Sequence, residues 1–227
     1  MATQAPLPQD ELQQLLAPLE RAAGPRPPLD AATACELLVV ANARAAVLVE
    51  GWSDQAALET LARRRGWDLH AEGIVVVPIG GATNILRFAQ ALGPQGLGVR
   101  LVGLYDLGEE LHVRRSLSRA GLGSNLTRAG TEAAGFFVCD ADLEDELIRA
   151  LGTTAVENVL EAQGEFAAFR RFQEQPAQRG RDHHAQLRRF MGTRSGRKIR
   201  YGSLLVDALD LDRVPRPLDL VLAHARV

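Results

Sequence analysis

The sequence predicts an α/β protein built on a parallel four-stranded sheet flanked by helices, with an N-terminal helical pair before the sheet and a C-terminal helical extension after it. Three observations predict this class. Four short apolar runs, at 46–49, 74–77, 99–105 and 136–139, are rich in Val, Leu, Ile and Phe. They lack the polar alternation of a sheet with one wet face, as expected when both faces are covered. Helical patterns at 54–65, 84–92 and 110–120 separate the runs, and strands that alternate with helices imply parallel crossovers. Beyond Asp140 the pattern is helical almost to the end, broken by a Gly-, Pro- and Gln-rich loop at about 173–182.

Residues 9–23 are amphipathic, Pro25, Pro27 and Pro28 break the chain, and Asp30 is placed to cap a second helix running to about Asn42. The first apolar run ends in Glu50-Gly51. Gly51 is expected to permit a sharp turn, and Ser53 to cap a helix with apolar positions at Ala56, Ala57, Leu58, Leu61 and Ala62. The second run ends in Pro78-Ile79-Gly80-Gly81-Ala82-Thr83-Asn84, which reads first as a tight turn before a helix and second as a phosphate cradle. The third ends in Asp106-Leu107-Gly108-Glu109-Glu110, and the fourth is followed by Asp140-Ala141-Asp142-Leu143-Glu144-Asp145-Glu146. Pro215-Arg216-Pro217 marks a late turn. The expected divisions are an N-terminal helical segment at 1–43, an α/β domain at 44–152 and a basic helical region at 153–227.

Composition narrows the function classes. A chain of 227 residues, 46% hydrophobic and 24% charged, suits an ordinary globular protein with one domain and an appendage, or two small domains. No apolar run approaches the roughly 18 residues of a membrane span. Asp10, Glu11 and neighbouring glutamines stand where a signal peptide needs a basic start and an apolar stretch, so a cytoplasmic location is expected. Cys35 and Cys139 cannot build a disulfide framework or a four-thiolate zinc ribbon; both read as buried free thiols.

Charge is unevenly spread. Residues 170–200 hold ten basic side chains against Glu174 and Asp182, a net +8, which leaves the rest of the chain at −10 within an overall −2. Arg188, Arg189, Arg194, Arg197 and Arg200 in this stretch are candidates for contact with a nucleic-acid backbone, against the plainer reading of a solvated helical face. Lys198 is the one lysine among 26 basic residues. A site that retains the compact ammonium where arginine serves everywhere else suggests a specific need for it.

Three of the four predicted strands end in acid, and polar groups beyond the carboxyl ends of such strands face the ligand crevice. Two carboxylates about 4 Å apart repel by about 4 kcal/mol at an effective dielectric of about 20, so a cluster needs a cation or raised pKa values. The candidate donors offer oxygen and no thiolate, which favours Mg²⁺ or Mn²⁺ over zinc. Two ions about 3.5–4 Å apart would clamp both oxygens of a phosphodiester displacement. Glu59, Asp145 and Glu146 are the acids expected to be plain helix surface.

These residues resemble the TOPRIM family, and within it the nuclease domain of the OLD (overcoming lysogenisation defect) endonucleases. The resemblance spans roughly residues 44–210 and rests on a strand ending in Glu50-Gly51, a later strand ending in Asp106, an Asp142-Leu143-Glu144 segment and Lys198. It implies metal binding by Glu50, Asp54, Asp106 and Glu144, with Asp142 beside them, and a phosphate-steadying role for Lys198. The family's D-x-D reads Asp106-Leu107-Gly108 here, so Gly108 replaces the second aspartate and Glu109 or Glu110 would have to fill the gap.

Other branches lack their requirements. A topoisomerase needs a tyrosine nucleophile, and Tyr105 falls within a predicted strand. Primases and recombination mediators of this fold carry zinc ribbons that two cysteines cannot make. The G-x-x-x-x-G-K-[ST] phosphate loop is absent, so an ATPase would be supplied by another chain or the nuclease would act without ATP. Asp182-His183-His184 lacks the i, i+4 spacing of a helical metal pair, and Trp52 and Trp67 read as packing residues rather than base-stacking platforms. The expected activity is Mg²⁺- or Mn²⁺-dependent cleavage or transfer at DNA phosphodiesters, with Glu50 and Lys198 as the catalytic pair. The alternative is a non-catalytic nucleic-acid-binding or regulatory module that keeps the fold.

Overall fold

A computed structural model describes residues 29–227; the predicted helix at 9–23 lies outside the described residues. Asp30 caps the first described helix, α1 (Ala31–Val40), by accepting the Thr33 N–H at 2.9 Å. The elements that follow are β1 (Ala45–Val49), α2 (Trp52–Arg64), β2 (Ile74–Pro78), α3 (Ile85–Leu92), β3 (Arg100–Asp106), α4 (Glu110–Arg119), α5 (Arg128–Ala133) and β4 (Phe136–Cys139). Six helices then run to the end: α6 (Leu143–Leu151), α7 (Thr153–Ala162), α8 (Phe166–Gln173), α9 (His183–Met191), α10 (Ser195–Ala208) and α11 (Arg216–Arg226).

The four strands pair in parallel in the order β2-β1-β3-β4. The chain therefore adds β2 on one side of β1 and returns to add β3 on the other, which opens a crevice between the carboxyl ends of β1 and β3. Glu50 follows β1 and Asp106 ends β3, one on each wall of that crevice.

Both faces of the sheet are covered, as the unbroken apolar runs require. Ala45, Val47, Val49, Val102, Leu104, Phe137 and Cys139 face a core shared with α2 and the helices from α6 onward. Ala46, Leu48, Leu101, Tyr105 and Phe136 face the opposite core with α1, α3 and α4. Successive strand residues thus serve different cores, the period-two consequence of the pleat. The first core runs without a break from the sheet into Leu187, Tyr201, Leu205 and Leu222, so the C-terminal helices complete one face of the sheet.

Local differences from the sequence expectations have simple causes. Short α5, absent from the expected elements, is capped by Thr127, which accepts the Gly130 N–H at 3.1 Å. Pro215-Arg216-Pro217 opens α11 rather than only marking a turn, because the missing proline N–H is harmless in a first helical turn. Ser53 is not the cap of α2. It is buried inside the first turn, and Asp54 instead accepts the Gly51 N–H at 2.8 Å. Gly51 has extended backbone, φ −148° and ψ −177°, so no left-handed turn demands glycine there.

Candidate functional site

Strand ends, one helix start and one distant helix build the candidate site. Glu50 lies exposed on the turn after β1, and its carbonyl accepts the N–H groups of Gly80 and Gly81, both at 3.0 Å. The Gly80-Gly81 loop thereby spends these two donors in bracing the Glu50 peptide. Asp54 sits in the first turn of α2 beside it. Asp106 stands half-buried at the end of β3.

Glu144 comes from the first turn of α6 and is 3% exposed. Its Oε2 meets Lys198 Nζ at 3.2 Å, while its Oε1 is buried with no hydrogen-bond partner. Lys198 belongs to α10, which crosses the start of α2 at close range: a Cβ on Gly202 would lie 2.6 Å from the Ser53 carbonyl oxygen. Gly202 is one helical turn beyond Lys198 on the same face. The glycine contact therefore sets how near the ammonium comes to the carboxylates.

Charges in this group act on one another. Burial, then the carboxylates of Glu50, Asp54 and Asp142, push the Asp106 pKa up to about 8. Burial raises Asp54 to about 6 against the opposing pull of Lys198, and raises Glu144 to about 7 against the same ammonium. Lys198 resists its own partial burial and is raised, chiefly through Glu144 and Asp54. A proton or a cation relieves a cluster of this kind.

A divalent ion fits the chemistry of the group: every donor is oxygen, the carboxylates repel, and the Glu144 Oε1 is orphaned in a buried position. Among the described residues, however, no group of three or more His, Cys, Asp and Glu forms a ready-made cage. The carboxylates of Glu50, Asp54, Asp106 and Glu144 share a field without yet closing on one point.

Two expected metal ligands are engaged elsewhere. Glu110 forms a two-point ion pair with Arg128, Oε1 to Nε at 3.1 Å and Oε2 to Nη2 at 2.5 Å, which holds its carboxyl below the usual range. It does not fill the gap at Gly108, because α4 turns it toward α5. Asp142 is the N-cap of α6, accepting the Asp145 N–H at 2.9 Å through Oδ1, and it accepts Arg188 Nε at 2.8 Å through Oδ2.

The basic stretch divides in the same way. Arg188 is committed to Asp142. Arg197, whose side chain is 9% exposed, pairs with Glu165 at 2.9 Å and lies over the Phe190 ring. Arg200 also pairs with Glu165, at 2.8 Å. Arg189 and Arg194 are exposed and form no ion pair among the described residues. His184 and His183 pair with Asp145 and Glu157, and neither contributes to a metal group. Glu146, expected on the surface, is buried and accepts the Asp140 N–H at 2.9 Å.

Tyr105 and Tyr201 are both buried, which leaves neither phenol available as a nucleophile. The guanidinium groups of Arg65 and Arg226 lie over the Trp67 ring, 4.9 and 4.1 Å from its centroid. Cys139 is buried and Cys35 half-buried, both as free thiols. The sequence offered no signal for Gly202, for the Gly80-Gly81 brace or for the Arg188–Asp142 tie, since each depends on residues distant in the chain.

Residues 43–107 match the family model described as overcoming lysogenization defect protein-like, TOPRIM domain. That span contains Glu50, Asp54 and Asp106. The C-terminal region of the Xanthomonas campestris pv. campestris OLD protein is 26% identical, with a TM-score of 0.60 over 81% of this chain and 95% of that one. The C-terminal region of the Burkholderia pseudomallei OLD protein shares the fold at 22% identity, with a TM-score of 0.59 over 81% of this chain and 97% of that one. No curated protein matches the chain.

Proposed function

Because the chain carries an OLD-like TOPRIM domain within the fold of OLD C-terminal regions, we propose that it is a divalent-metal-dependent nuclease acting on DNA phosphodiester bonds. The grouping of Glu50, Asp54, Asp106 and Glu144 around the crevice between β1 and β3, with Lys198 paired to Glu144, supports this reading. Those four carboxylates are the residues that would hold Mg²⁺ or Mn²⁺, one ion or two. When bound, such an ion neutralises phosphate charge and acts as a Lewis acid.

The chain's own groups supply the remainder. Glu50, exposed and at the rim, serves as a metal ligand or, where the other three carboxylates hold the ion, as the acceptor for the proton of the attacking water. Lys198 steadies the charge that develops on the phosphate oxygens, and its attachment to Glu144 holds the ammonium in place beforehand. Arg189 and Arg194 have no acid to release and are the side chains for backbone phosphates on either side of the scissile bond.

Cleavage of supercoiled plasmid and of single-stranded DNA with Mg²⁺ or Mn²⁺ tests the proposal. The wild-type chain should cut at least one, and Glu50→Gln should abolish cutting while preserving the fold. A second reading, a DNA-binding module without turnover, is favoured by one observation: Gly108 stands where the family has its second aspartate. Binding with a steep salt dependence and no cleavage under either metal would establish that reading instead.

A further inference from the structure

A groove of about 590 Å³ lies between α1, α2 and β2, away from the carboxylates. Leu37 and Val40 of α1, Trp52 of α2, Leu29, Trp67 and Val75 are among its walls. β2 is the last strand of the sheet on this side, with no strand beyond it among the described residues. Apolar grooves of this size beside a sheet edge are ordinarily covered, since both the apolar wall and the unpaired edge invite association.

We propose that the N-terminal segment of the same chain, residues 9–23, is the occupant, docking in cis across α2 and β2. The described chain begins at Leu29, which is itself part of the groove wall. Residues 24–28 join this segment to Leu29, and five residues reach at most about 18 Å, so the segment is tethered within range of this face. Leu12, Leu15, Leu16 and Leu19 recur at i, i+3, i+4 and i+7, the spacing of one helical face, with Pro18 set to bend its far end. A segment this short needs a packing surface to hold a helix in water, and the groove is the apolar surface within reach. Trp52 begins α2 two residues after Glu50, so the docked segment would border the turn that presents the candidate base.

The two tryptophans of the chain both line this groove, which makes their fluorescence a direct readout. In the full chain, replacing Leu12, Leu15, Leu16 and Leu19 together by Ser should shift tryptophan emission to the red and raise its quenching by acrylamide. A synthetic peptide of residues 9–23 should then reverse both changes saturably. Unchanged emission, or a shift that the peptide fails to reverse in a variant retaining wild-type helical circular dichroism, overturns the proposal. A photo-crosslinking residue at position 16 of the otherwise wild-type chain decides independently, including where the Ser variant misfolds. Intramolecular cross-links to the walls at Leu37, Val40 or His70 support docking in cis. Cross-links elsewhere on the chain overturn it, and cross-links only between isotopically distinct copies assign the groove to a second copy.

Discussion

Gly202 of α10 rests on the carbonyl of Ser53 in the first turn of α2, so close that a Cβ would fall 2.6 Å from that oxygen. The contact joins the helix that carries Lys198 to the helix that carries Asp54. Replacing Gly202 with Ala should force the helices apart and cost about 1–3 kcal/mol, the usual range for overpacking. Urea denaturation measures the loss, and metal-supported cleavage should fall with it because Lys198 withdraws. A Gly202→Ala protein of unaltered stability would remove the argument that this approach sets the site.

The Lys198–Glu144 pair predicts a pH-dependent defect. Lys198→Met removes the ammonium that opposes the raised pKa of Glu144, so that pKa should climb further above about 7. At pH 5 the carboxyl is protonated in both proteins and stability should change little. At pH 8 the variant should be the less stable, and Glu144→Gln in the Lys198→Met background should restore it. Thermal melts at the two pH values distinguish this from a general packing loss.

Without metal, stability should decline as pH rises from about 5 to 8. Asp54, Asp106 and Glu144 hold their protons more tightly when folded, at about 6, 8 and 7, than in the unfolded chain. The folded state therefore binds more protons in this window, and the slope of stability against pH is negative. Lowered acids such as Glu132 and Glu165 act below their ordinary pKa of 4.5, outside the window. Asp106→Asn should flatten the decline, and Mg²⁺ or Mn²⁺ should raise Tm more at pH 8 than at pH 5, where protons compete.

Gly108→Asp should be tolerated and should strengthen the site. A Cβ at Gly108 meets nothing within 4 Å, and its φ is not in the left-handed region, so an aspartate can be introduced there without a clash. Calorimetry with Mn²⁺ should show tighter binding, and cleavage should rise. Glu110→Gln offers the contrast: because Glu110 is spent on Arg128, its loss should leave metal affinity unchanged.

Much of this organisation was legible in the chain itself. Val47-Leu48-Val49 and Val102-Gly103-Leu104 announce buried parallel strands because both faces must be covered, and the four expected strands lie within a residue or so of those observed. Acids after strands were equally readable, since the crevice at a switch point is a topological consequence. The Glu110–Arg128 pair was not legible, because Arg128 arrives on α5 from 18 residues away. Arg188 and Arg197 looked like free cations for the same reason, before α6 and Glu165 supplied their partners.

By itself, then, the sequence determined the α/β class and the strand ends that carry Glu50 and Asp106. These follow from local periodicity and from residue types at strand ends, both carried by neighbouring positions. Only the tertiary structure decided which charges meet. Lys198 reaches Glu144 because Gly202 lets α10 lie on α2, and Asp142 is drawn to Arg188 because α9 packs beside α6. Coulomb energies depend on separation in space, which chain order leaves open until the helices are packed.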